Sequence, residues 1–74
     1  MSNPVSQPIK WLGQRICDFC HDDCIIHGRA FVDGKTWEGS WALMCRLCHI
    51  IHGVGLGPGR GQMYDGLTYE KIEG

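Results

Sequence analysis

Ile16-Cys17-Asp18-Phe19-Cys20-His21 and Cys45-Arg46-Leu47-Cys48-His49 are the two stretches that decide how this chain is read. Each holds a cysteine pair with two residues between its members, and residues 21–44 separate the pairs. Two thiolates at that spacing grip one metal ion from a tight knuckle, and two such pairs close a tetrahedron around it. Four thiolates leave no position for water or substrate, so the spacing predicts one structural zinc ion and not a catalytic one. The chain also needs such an organiser. At 74 residues it makes one small domain, and a chain of that size buries too little apolar surface to rest on a core alone.

Composition sets the remaining bounds. Hydrophobic residues make up 43% of the chain, as in ordinary globular proteins, while 11 glycines point to a loop-rich architecture. No apolar run approaches the length of a membrane-spanning helix. Residues 1–10, MSNPVSQPIK, lack the apolar core of a signal peptide. Five cysteines, an odd number, fit a disulfide framework badly, so we expect a cytoplasmic protein in a reducing cell interior. The formal net charge is −1; four thiolates and a divalent ion would bring the loaded form near −3. Binding to nucleic acid by charge alone is therefore not expected.

Outward from the cysteines, three regions are expected: a flexible arm over 1–14, a zinc-binding domain over 15–69 and a C-terminal tail over 70–74. Pro4 and Pro8 break up the arm, and Ile9, Trp11 and Leu12 are apolar enough to dock its end on the domain. Arg29-Ala30-Phe31-Val32 reads as a strand, Asp33-Gly34 as a tight turn and Lys35-Thr36-Trp37 as the return strand. Trp41-Ala42-Leu43-Met44 delivers the chain to Cys45, and residues 45–52 read as about two helical turns with Gly53 as the C-terminal cap. A helix start there would also favour thiolate charge. The fold class is then a small metal-organised α+β domain. A knuckle, a β-hairpin and a short helix make a treble-clef zinc finger; a zinc ribbon, with both pairs on hairpin knuckles, is the alternative. Glycine then fills every second position from Gly53 to Gly61, so an extended loop would offer one edge of bare backbone. Met63 to Tyr69 suggests a second small hairpin around Asp65-Gly66.

Several residues have both a functional and a plain reading. Cys24 is read as an inert thiol, with replacing a member of a cysteine pair or binding a second metal as the competing roles. His21, His27, His49 and His52 are read as supporting or surface histidines, or, with Cys24, as a second site. Trp41 is expected to cover the zinc site as core, whereas Trp37 is open as a partner's anchor or a base-stacking platform. Gly55, Gly57 and Gly59 with Arg60 make either a phosphate or partner contact or a packed loop; no Gly-Lys-Ser/Thr follows, so this is not a Walker loop.

Two family resemblances arise at these residues. The block from Phe31 to Thr36, then Gly39 to Cys45, the second cysteine pair with His49, and Gly53 to Gln62 resembles a family of small phage and prophage zinc-binding proteins, mostly without an assigned function. The resemblance covers residues 17–64, with Ser40 standing where a proline is expected. It implies a viral protein working inside a bacterium. Leu43 to His49 is also similar to the distal half of zinc-bearing HNH endonucleases. Such a nuclease needs a hairpin histidine, and this hairpin carries Asp33-Gly34. No catalytic constellation can be named, so an enzyme is not expected. Two functions follow: an adaptor or inhibitor that binds a bacterial host protein, or a module for single-stranded nucleic acid or RNA using aromatics and Arg60. No membrane partner is expected, and the sequence leaves the oligomeric state open.

Overall fold

Phe31 and Val32 are neighbours in sequence and both fully buried. Adjacent strand residues point to opposite faces, so the strand that carries them is covered on both sides. That strand is β1 (Ala30–Lys35), interior to a four-stranded antiparallel sheet in a computed structural model that describes residues 10–74. The other strands are β2 (Trp41–Cys45), β3 (Gly61–Asp65) and β4 (Lys71–Glu73), in the spatial order β2-β1-β3-β4. The single helix, α1, spans Arg46–His52, and a short 3₁₀ turn covers Cys24–His27. Register partners share a face: Phe31 lies across from Cys45 and Tyr64, and Val32 across from Met44 and Met63. The Phe31 face is aromatic, with ring centroids 5.7 Å from Tyr64, 5.9 Å from Trp11 and 6.3 Å from Tyr69.

The first hairpin turns later than expected. Asp33 and Gly34 lie inside β1, and the loop is Trp37-Glu38-Gly39, closed by Thr36 and Ser40. The amides of Thr36 and Gly39 donate to the carbonyls of Ser40 and Thr36 at 2.8 and 2.9 Å, and Gly39 takes the positive φ of 96° that ends such a three-residue loop. Gly34 answers a different need. A Cβ there would stand 2.9 Å from the Arg60 carbonyl oxygen and 3.1 Å from the Cα of Gly61, its cross-strand partner. Asp-Gly thus marks close backbone approach and not a turn.

The ends of the chain also differ from expectation. Residues 1–9 of the expected arm lie outside the described residues. Lys10 bridges Glu70, and the Trp11 amide donates to the Tyr69 carbonyl at 2.8 Å, so Trp11 docks on the core as its apolar character suggests. The tail beyond Glu70 does not fray: Lys71–Glu73 pairs with β3 and covers an edge that would otherwise be bare. The second hairpin exists, but its return strand lies beyond Tyr69. Asp65 closes its turn, its carboxylate accepting from the amides of Leu67 (2.7 Å) and Thr68 (3.1 Å).

The glycine ladder folds where an extended strip is expected. Gly57 and Gly61 face each other across a tight turn, and Gly55, Gly57 and Gly59 have φ of 118°, 122° and 75°. The amides of Gly57 and Gly61 donate to each other's carbonyls, so neither is free for an anion. No helix among the described residues is long and apolar enough to cross a membrane.

Candidate metal centre

The two cysteine pairs meet because two local structures present them. The first pair sits on a knuckle: the amides of Cys17 and His21 bond to the carbonyls of Asp22 and Cys17 at 2.9 and 3.0 Å, and the Phe19 amide donates to the Cys17 sulfur at 3.4 Å. His21 takes a φ of 64° to complete the reversal. The second pair sits at a helix start. Cys45 ends β2 and is also the N-cap of α1, its sulfur accepting from the Cys48 amide at 3.4 Å. A thiolate there faces the amide-rich end of the helix, which favours negative charge.

Asp18 ties the knuckle to the sheet. Its amide donates to the Leu43 carbonyl, and its carboxylate accepts from the Leu43 amide, both at 2.8 Å. Phe19 adds a second tie, stacking on the His52 ring at 4.0 Å and 4° between planes. The knuckle is therefore fixed to both β2 and α1, the two elements that place Cys45 and Cys48.

The result is one cluster: the sulfurs of Cys17, Cys20, Cys45 and Cys48 all lie within 4.8 Å of one another and could hold a metal ion. Those of Cys20 and Cys45 are 3.9 Å apart. Cys17 and Cys45 are fully buried and Cys48 nearly so, with Cys20 half-buried. Their acidities diverge. Burial opposes ionisation of Cys17, but backbone amides around it, Phe19 among them, outweigh this and bring it to about 7. Burial first, then the sulfurs of Cys45 and Cys17, push Cys48 well up. At Cys20 the Asp22 amide favours the thiolate, yet burial and the sulfurs of Cys17 and Cys45 together raise it. Four thiols this close cannot all ionise unless a cation joins them.

Cys24 stands apart from the four. It is fully buried in the core, and burial, followed by negative charge at Cys17 and Cys45, pushes it up to about 12. It is not among the four grouped sulfurs. The histidines are also outside the four-sulfur group. His49 Nε2 lies 3.2 Å from the Gly55 carbonyl, His52 stacks on Phe19, and His27 Nε2 sits 3.4 Å from Asp22. Cys20, Asp22 and His27 form a second, more open group of three donors that shares Cys20 with the first.

No protein-family model, curated protein or solved structure matches this chain.

The other sequence-predicted residues are scattered. Trp37 stands at the hairpin tip, 75% exposed. Trp41 is not core: it is 48% exposed, and its indole N–H donates to Asp33 at 2.8 Å. It begins β2, so its face lies beyond the end of the packed layer. Arg60 is exposed and lies over Gly57, its guanidinium filling the place a Cβ would take. Gly55 and Gly59 belong to the same loop, and the Gly55 carbonyl lies 3.2 Å from His49 Nε2. Sequence reasoning missed Asp18, and it missed the outer face of α1, where Leu47, Ile50 and Ile51 are 49%, 70% and 59% exposed. Their i, i+3, i+4 spacing was a readable sign of one helix face.

Proposed function

We propose that this chain is a zinc-stabilised treble-clef module that acts by binding another protein. Its four sulfurs suit zinc. A tetrahedron with Zn–S near 2.3 Å has sulfurs about 3.8 Å apart, and Cys20 and Cys45 already stand at 3.9 Å. Knuckle, hairpin and a helix whose first turn carries the second pair follow the treble-clef order; a ribbon would need a second hairpin knuckle in place of α1. Zinc, when bound, would supply cross-linking and no chemistry, because all four positions are sulfur.

The observation that carries the binding role is the outer face of α1. Three large aliphatic side chains stand exposed on a seven-residue helix whose inner side delivers Cys48 to the metal. Clustered exposed apolar residues on a rigid element mark an interaction surface. Arg29, Arg46 and His27 line a groove of about 470 Å³ beside Leu47 and Ile50, giving the patch a polar rim. The resemblance to phage zinc-binding proteins supports a bacterial host protein as the partner and the host cytoplasm as the setting. The nucleic-acid reading has less support, because Arg15 and Arg29 are engaged by Asp23 and Asp65.

Affinity capture from nuclease-treated bacterial lysate tests this reading, with wild-type and Ile50→Glu protein side by side. Ile50 is exposed, so the variant keeps its fold. A protein retained by the wild type and lost with the variant supports the module; equal retention by both removes α1 from the account.

A further inference from the structure

We propose that the groove between α1 and Gly28 takes an acidic segment of the partner protein, one that presents carboxylates beside aliphatic side chains. The inference rests on the protein-binding reading and gives the partner a chemistry. The groove encloses about 470 Å³. Ala30, Leu47 and Ile50 supply its apolar surface, and His27, Arg29 and Arg46 its polar surface. No aspartate or glutamate lines it. The whole chain carries a formal net charge of −1, so a pair of arginines in one groove is a local excess of positive charge that composition does not explain. Both guanidinium groups have donors to spare. Arg29 meets Asp65 through Nε alone, at 3.0 Å to one oxygen and 3.3 Å to the other. Its terminal nitrogens have no protein partner among the described residues, and its side chain is 64% exposed. Arg46 is exposed and forms no ion pair among the described residues. Gly28 accounts for the way Arg46 is held. A Cβ on Gly28 would stand 3.4 Å from the Arg46 Cβ and 3.3 Å from its Cγ. The stem of Arg46 therefore lies along bare backbone, which fixes the stem and leaves the charged head for a partner.

The choice of occupant follows from charge set beside apolar surface. A planar guanidinium forks to a carboxylate through parallel N–H donors. Arg29 and Arg46 stand beside Leu47 and Ile50, which are 49% and 70% exposed. A segment that mixes acidic and aliphatic residues complements both features at once. A purely apolar segment would cover the guanidinium heads and leave them unpaired. A nucleic-acid backbone would use the arginines but set a charged, hydrated chain against the aliphatic surface. α1 also carries Cys48 into the four-sulfur group, so the metal centre steadies one wall of the groove.

The test is a ¹H–¹⁵N spectrum of the metal-loaded protein titrated with acetyl-Asp-Leu-Asp-Glu-Leu-Leu-amide, or with its neutral counterpart acetyl-Asn-Leu-Asn-Gln-Leu-Leu-amide. The amide of Gly39, in the hairpin loop beyond the opposite end of β1 from Ala30, is the internal control. We expect saturable shifts at the Leu47 and Ile50 amides and at Nε–H of Arg29 and Arg46, and none at Gly39. The neutral peptide should bind about tenfold more weakly or not at all. Arg46→Gln keeps the stem that lies on Gly28 and removes the charge, and should weaken binding of the acidic peptide about fivefold. Absence of saturable shifts at about 20 mM acidic peptide, enough to reveal a millimolar complex, overturns the proposal. So does an equal response to the neutral peptide, a comparison that needs no variant to fold. Tighter binding of oligothymidylate than of the acidic peptide at the same signals also overturns it, and assigns the groove to nucleic acid. If the acidic peptide fails while capture still depends on Ile50, the charge assignment falls and the binding module stands.

Discussion

Gly34→Ala adds one methyl group at a crowded backbone crossing in the sheet. The new Cβ would stand 2.9 Å from the Arg60 carbonyl oxygen, 3.1 Å from the Gly61 Cα and 3.2 Å from Val32 Cγ1. Two of these are backbone atoms of the neighbouring segment and cannot rotate away. The same Arg60 carbonyl accepts from the Lys35 amide at 2.8 Å, so moving it stretches the bond that starts the β1–β3 ladder. Gly61 has no slack either: a Cβ on it would meet the Gly55 carbonyl at 3.0 Å. Overpacking of this kind costs about 1–3 kcal/mol. Alanine returns about 0.4–1 kcal/mol by restricting the unfolded chain. The net is a loss of about 1–2 kcal/mol, or a melting temperature lower by about 5–15 °C in a domain of this size. Circular dichroism of the zinc-loaded protein, melted at fixed free zinc, reads this directly. An unchanged or raised Tm would refute the reasoning, since it would mean that β1 and β3 do not approach at Gly34 and that Asp33-Gly34 is the open turn its sequence suggests.

Trp11→Ala should cost about 2–3 kcal/mol in urea unfolding, less than a fully buried tryptophan, because the ring is only partly buried against Phe31 and Tyr64; no loss would detach residues 10–14 from the folded unit. Cys24→Ala should keep one metal ion and lose about 1 kcal/mol of packing, and loss of the metal would make Cys24 a ligand. The amides of Leu67 and Thr68, then Arg29, hold Asp65 below the ordinary carboxylate range. A depressed folded pKa gives stability that is present above about pH 3.9 and lost as pH falls through the folded value. The Tm gap between wild type and Asp65→Asn should therefore be widest at neutral pH and narrow toward acid; a gap independent of pH would contradict the charge argument.

What the sequence made legible follows from how local each signal is. The cysteine pairs announce themselves because two residues between thiols already define a knuckle, and Cys45 as the start of a helix could be read from the apolar spacing after it. That Cys24 lies outside the four-sulfur group was readable too, because it belongs to neither pair. The hairpin was displaced because Asp-Gly carries two meanings, a turn or a close backbone contact, and only the partner strand at Gly61 decides between them. Trp41 was misplaced for a related reason: a tryptophan entering a strand is core only if another layer covers that end, and here Asp33 and an open cleft meet it. β4 is three residues long, too short for any periodicity to show, and it forms because β3 offers an edge. Asp18 works through a backbone amide twenty-five positions away, a relationship that no local pattern encodes.

Native mass spectrometry of the protein purified under reducing conditions tests the central claim most directly. The account predicts one zinc ion per chain in the wild type and in Cys24→Ala, and none in Cys48→Ser. A wild-type chain that carries no metal, or that keeps its metal when Cys48 is replaced, would contradict the four-cysteine centre on which the fold and the proposed function rest.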